Sequence, residues 1–281
     1  MNDGGAIYDV NQRNNAMNMI DLQLQKIRDE KRMGLMTHVV IGYPNHQESR
    51  ELVLAMADAG SDFIELQIPF SDPVADGPTI MHANQISLEQ GTTVAMCFEF
   101  MKEMAGRVHI PLLFMTYFNI VFRYGVEKFC SDARHAGCSG LIVPDVPLDE
   151  ESHEHFIEIA DNYDLIPLRV LSPASTESRI KKNAEVTHHK GFVYFVSRKG
   201  TTGAQQDLNT KLGEQLQKVR QYFDIPIAVG FGISKPEHIT ALEGNADIAV
   251  VGSEIINQYN NAKKGEGVKN VRDFIQGLVS R

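Results

Sequence analysis

Eight short, β-branched and apolar runs, each followed by a stretch with helical spacing, constrain this chain more than any other feature. The runs are THVVIG (37–42), DFIELQI (62–68), IPLLFMTY (110–117), GLIVPDVP (140–147), LIPLRVL (165–171), GFVYFVS (191–197), PIAVGFG (226–232) and DIAVVG (247–252). They are almost continuously hydrophobic instead of alternating, as strands covered on both faces are. The intervening segments, such as HQESRELVLAMADAG, TVAMCFEFMKEMA, GVEKFCSDARHAG, EESHEHFIEIADNYD and the terminal VKNVRDFIQGLVSR, carry apolar residues at helical intervals. Several open on a cap or Pro-Glu and close on Gly or Asn. A further amphipathic segment, NMIDLQLQKIRDEKR, precedes the first run. Eightfold strand–helix alternation predicts a parallel sheet with right-handed crossovers, closed into a (β/α)₈ TIM barrel with an extra N-terminal helix. A doubly wound sheet is the alternative, but no G-x-G-x-x-G follows an early strand. No repeat or linker divides the chain, so residues 17–281 are expected to form one barrel domain and the polar residues 1–16 a flexible tail.

Composition narrows the partners. With 43% hydrophobic and 22% charged residues in 281, the chain can bury a sizeable core. A net charge of −9 argues against nucleic acid, whose binders need clustered Lys and Arg. Cys97, Cys130 and Cys138 are odd in number and lack a C-x-x-C, so they read as reduced, buried small hydrophobes. No secretory leader and no run near the roughly 18 apolar residues of a membrane span is visible, so a cytoplasmic protein is expected. His153 with His155, and His188 with His189, lie on helix-like segments without further ligands at a usual spacing; no metal site is expected.

In a (β/α)₈ barrel the active site lies at the C-terminal ends of the strands. That rule aims Glu65, late in the second run, and Asp72 and Asp76, in the loop ELQIPFSDPVADGP, over the mouth. Carboxylates so close raise one another's pKa, a cost that calls for a use; Asp72 in SDP fits a plain turn former equally well. The rule also brings in Tyr117 and Asn119, Asp145 as a rim or structural residue, the SRKGTTGA loop (197–204), GFGIS (230–234) and GSE (252–254). Glycine turns after the last two strands, opening onto helix N-termini, let backbone N–H groups approach a phosphate. Gly232, Gly252 and Ser253 are the candidates, with Gly203 from the preceding loop.

From about residue 18 to its end the chain resembles the tryptophan synthase alpha subunit family. The signature is ELQIPFSDPVADGPTI (65–80), supported in order by TYFNIVFRYGVEKF (116–129), GLIVPDVP, SRKGTTGA, AVGFGIS and VGSEII. The resemblance implies retro-aldol cleavage of indole-3-glycerol phosphate to indole and glyceraldehyde 3-phosphate, without a metal or a bound cofactor. It implies a beta subunit partner that carries pyridoxal phosphate and receives the indole in an αββα assembly. By motif, Glu65 matches the family's acid/base and Asp76 the carboxylate that holds the indole N–H and stabilises charge on the ring. Leu35, Tyr117, Tyr194, Thr202 and Phe231 match substrate-pocket positions, with Thr202 on a lid spanning 197–206. Pro69 and Asp72 match positions facing the beta subunit. Gln67 departs from the family's usual glycine, Leu35 from a common phenylalanine, and Val40 and Tyr43 from a threonine and an aspartate. Gln67 keeps open a second reading, a weakly active phosphate-ligand-binding subunit that regulates the beta chain. Other phosphate-handling barrel enzymes fit less well, since their acid/base and lysine residues fall on other strands.

Overall fold

The computed structural model describes residues 17–146, 148, 151–197 and 205–279, the side chains of 152 and 205–210 excepted. The expected tail over 1–16, and Thr202 and Gly203 with most of the expected lid, lie outside the described residues. The strands are β1 (Gly34–Val40), β2 (Phe63–Gln67), β3 (Leu112–Met115), β4 (Gly140–Ile142), β5 (Ile166–Leu168), β6 (Val170–Leu171), β7 (Val193–Val196), β8 (Ile227–Gly230) and β9 (Ile248–Val251). They pair in the order β5-β4-β3-β2-β1-β9-β8-β7-β6, every pair parallel. The two ends of that order, β5 and β6, are pieces of the single run LIPLRVL, separated only by Arg169. The Arg169 carbonyl accepts from Tyr194 N at 2.8 Å, so the ladder continues across the break and the sheet returns on itself as a barrel.

Period-2 alternation sorts each strand between two apolar layers. Met36, Phe63, Leu113, Met115, Ile142, Leu168, Ile248 and Val250 fill the barrel. Their sequence neighbours Leu35, Ile64, Leu112, Leu141, Ala249 and Val251 pack outward under the helices. Burial on both faces, at about 1.5–3 kcal/mol per large side chain, is why the strands read as unbroken hydrophobic runs.

The helix Met19–Asp29 plugs the N-terminal end, its buried Ile20, Leu24 and Ile27 joining the barrel interior. Asn18 caps it, accepting from Ile20 N and donating to the Ser139 and Asp164 carbonyls. The plug fits because Gly34 and Gly140 have no side chain; a Cβ there would lie 2.8 Å from Ile27 Cδ1 and 2.7 Å from Ile20 Cδ1 respectively. Asp62 ties the same end together, accepting from Arg32 twice and from Gln23, each at 2.6 Å, and from Leu35 N at 2.9 Å.

Two helical readings change. EESHEHFIEIADNYD forms two helices, Glu151–Glu154 and Phe156–Asn162, because His155 between them adopts φ 51, in the left-handed region. A helix over Pro78–Glu89, which the apolar spacing does not reveal, buries Ala83, Asn84 and Ser87. A buried face of small and polar residues leaves no hydrophobic stripe to detect. Cys97, Cys130 and Cys138 are all free and buried, and no described helix is long and apolar enough to cross a membrane.

Candidate active site

The C-terminal mouth of the barrel gathers the acidic residues. On β2 the alternation that turns Phe63 inward also turns Glu65 and Gln67 inward, while Ile64 and Leu66 face the helices. Glu65 is 4% exposed, and among the described residues its Oε2 has no hydrogen-bond partner. A buried carboxylate oxygen without a donor is costly unless something is to be bound there.

The loop after β2 folds back over this carboxylate and is pinned at three points. Asn84 Oδ1 accepts from Phe70 N at 2.9 Å, and the Tyr117 hydroxyl accepts from Ala75 N at 3.1 Å. Gln67 Nε2 and the Tyr117 hydroxyl both donate to Asp76 Oδ2, at 2.7 and 2.9 Å. Tyr117 is itself fixed by stacking on Phe70, centroids 5.2 Å apart. Burial pushes the Asp76 carboxyl up from its ordinary value and facing Glu65 adds to this; Gln67, His38 and Tyr117 pull it down without cancelling the rise. Tyr117 and Tyr194 stay protonated, their hydroxyls pushed up first by burial and then by facing carboxylates.

Tyr194 enters from β7 and lies against Gly230 on β8, where an added Cβ would sit 3.1 Å from its hydroxyl. Phe231 follows at the rim, half-buried, packed on the outer shell and 5.9 Å from the His238 ring. Gly232 adopts φ 80 in the turn after β8. Gly252 is the N-cap of the helix Ser253–Asn260, with its backbone open toward Ile80 and His38. Glu65, Asp76, Tyr117, Tyr194, Gly232, Gly252 and Ser253 therefore come to one mouth from five strands, β2, β3, β7, β8 and β9, as their strand positions imply. Asp145 accepts from Phe118 N at 2.8 Å and is structural.

Two expected placements are corrected. Leu35 does not face the pocket: strand alternation turns it outward into the helix-packed shell. The inward residue near the end of β1 is His38, paired in register with Glu65 and only 3% exposed. A histidine inside THVVIG, in phase with Met36, was the available signal. Pro69 is buried beneath the loop, whereas Asp72 is exposed and accepts from Ser71 Oγ at 2.6 Å; Val74 is 74% exposed beside it. A partner at this loop would meet Asp72 and Val74, with Pro69 supporting them from below. Among the described residues no group of three or more His, Cys, Asp and Glu is placed to hold a metal ion.

Comparison with known proteins adds an independent line. A family profile described as "Tryptophan synthase alpha chain" matches residues 24–278. The proteins of that name from Desulfotalea psychrophila and Syntrophotalea carbinolica are 44% and 42% identical, each over 92% of this chain and 100% of their own length. A solved structure titled as Mycobacterium tuberculosis tryptophan synthase superposes with a TM-score of 0.84 at 29% identity, covering 94% of this chain and 98% of its own.

Proposed function

This chain belongs to the tryptophan synthase alpha chain family, and we propose that Glu65 and Asp76 carry out its reaction at the barrel mouth. The family's activity is the lyase step of tryptophan biosynthesis, cleavage of indole-3-glycerol phosphate to indole and glyceraldehyde 3-phosphate. In that step the bond between indole C3 and the hydroxyl-bearing glycerol carbon breaks, its electron pair returning to the ring. The hydroxyl loses its proton as the carbonyl forms, and C3 gains one, so a single carboxylate can serve both transfers. Glu65 has this role, with its unpartnered Oε2 as the exchanging oxygen. Asp76 receives the indole N–H and stabilises positive charge on the ring in a site closed to water. Tyr117 and Gln67 fix Asp76, Tyr194 walls the pocket, Phe231 stands at its rim, and Gly232, Gly252 and Ser253, with Gly203, take the phosphate.

The observation that carries this reading is the buried Glu65 carboxylate, one of its oxygens without a partner among the described residues, facing the half-buried Asp76 on the loop that follows it at the C-terminal end of a parallel barrel. The proposed cleavage uses side chains alone; pyridoxal phosphate is assigned to the beta subunit. Membership of the alpha chain family implies such a partner. The exposed turn at Asp72 and Val74 is its proposed contact in an αββα assembly, formed in the cytoplasm by residues 17–281 as one catalytic domain.

The test is indole release from indole-3-glycerol phosphate by the native chain and by Glu65→Gln, with and without a beta subunit. Cleavage that rises with the beta subunit and falls at least about 10³-fold in the variant supports the reading. Equal inactivity of both, with beta turnover still stimulated, would make the chain a regulatory subunit, with Gln67 across Asp76 as its cause.

A further inference from the structure

Within the site, one buried titratable group has no part in the chemistry described above. His38 lies on β1 with its ring inside the barrel, Nδ1 3.4 Å from Glu65 Oε1, both side chains about nineteen-twentieths buried. Among the described residues its Nε2 has no hydrogen-bond partner, nor has Gln67 Oε1. A buried polar ring is expensive unless it is paired. It sits where phase with Met36 would admit an aliphatic or aromatic side chain at no such cost.

The charges around the ring are all accounted for among the described residues. From β2 come Glu65 and the amide of Gln67, and from the loop beyond it Asp76; on the β9 side Gly252 has no side chain to approach the ring. No cation faces it. Burial alone would push the imidazole down, yet Glu65, Asp76 and Gln67 together push it up overall. The same ring lowers the Asp76 carboxyl.

We propose that His38 is a positioning residue for the acid/base: its ring engages Oε1 of Glu65, leaving Oε2 to exchange the proton with substrate, and so couples Glu65 to Gln67 and Asp76. This rests on the assignment of Glu65 as acid/base. As an imidazolium the ring donates from Nδ1 to Oε1, which fixes the carboxylate's rotation, and its charge offsets the two carboxylates that share the cavity. The coupling is specific to a chain that has both His38 and Gln67, because Gln67 reaches Asp76 on one side and faces the ring on the other.

The imidazole nitrogens report this directly. In nitrogen NMR of the full chain, with His38 assigned by the signal missing from His38→Phe, the native ring is expected to titrate above the ordinary imidazole value of 6.5. In Glu65→Gln its midpoint should fall by about one unit or more. In parallel, the acid limb of kcat/KM should move up by about one unit in His38→Phe, because Asp76 loses the cation that lowers it, while KM changes less than about threefold. His38→Gln, which keeps a donor without charge, should restore part of kcat but not the limb. A ring that titrates near 6.5 in both the native chain and Glu65→Gln, or a His38→Phe enzyme with a lowered kcat and an unmoved limb, would overturn the proposal. If His38→Phe does not fold, His38→Gln supplies the assignment and the native and Glu65→Gln titrations decide. A native chain that releases no indole would sink the lyase site, whereas the ring titration would still judge the pair.

Discussion

Replacing Tyr117 by Phe removes one oxygen and leaves a fully buried ring, stacked on Phe70, in place. That oxygen serves two partners, donating to Asp76 Oδ2 at 2.9 Å and accepting from Ala75 N at 3.1 Å. A hydrogen bond to a charged group contributes about 1.5–3 kcal/mol, and a backbone N–H left without an acceptor costs about 1 kcal/mol. Gln67 still donates to the same carboxylate oxygen, so part of the first amount is retained. A net loss of about 2 kcal/mol follows, which for a chain of this size lowers Tm by roughly 4–8 °C. If that stabilisation serves to hold Asp76 over the indole, kcat/KM falls about 10- to 100-fold, since 1.4 kcal/mol is a factor of about ten. The pH dependence carries the sign. Asp76 is already raised from 3.8, and Tyr117 is one of the groups lowering it, so its loss raises the carboxyl further. A carboxyl raised on folding binds more protons in the native state, so stability declines as pH rises from the unfolded to the folded value. The variant should therefore lose more stability at pH 7 than below pH 3.8, and its activity should fall off at a higher pH on the acid side. Indole release and thermal unfolding across pH measure both. A variant within twofold of native kcat/KM with the same acid limb would refute the claim that Tyr117 holds Asp76.

Asp62→Ala should lower stability by about 2 kcal/mol, because it strands the buried Leu35 N–H at the closed end of the barrel and takes two hydrogen bonds from Arg32, which keeps Glu30. Chemical denaturation measures that loss, and kcat of the folded fraction should stay native, since the residue lies at the end opposite the mouth. Val74→Asp, in the most exposed apolar position of the loop, should weaken beta-subunit binding at least about tenfold by placing a second charge beside Asp72, as read by calorimetric titration. His38 is raised from 6.5, so its contribution is full below pH 6.5 and is lost as pH rises through its folded value. Unfolding curves of His38→Phe should accordingly decline less than those of the native chain above pH 6.5.

The barrel was legible because strands buried on both faces leave an unmistakable hydrophobic run, and all eight runs are strands. What the sequence hid follows from the same physics. The break at Arg169 is a single residue whose carbonyl keeps the ladder, so nothing in composition marks it. The helix Pro78–Glu89 buries Ala83, Asn84 and Ser87, residue types that periodicity does not count, yet Asn84 holds the acidic loop through Phe70 N. Glu65 and Asp76 could be placed at the mouth from strand ends alone. Leu35 could not be placed without phase: one residue along a strand reverses the face, which excluded Leu35 and admitted His38.

The most direct measurement is the crystal structure of Glu65→Gln with indole-3-glycerol phosphate bound. The account predicts the indole N–H within hydrogen-bond reach of Asp76, the reacting hydroxyl against the position 65 side chain, and the phosphate against Gly232, Gly252 and Ser253. A substrate bound with its phosphate elsewhere, or with its ring away from Asp76, would contradict it.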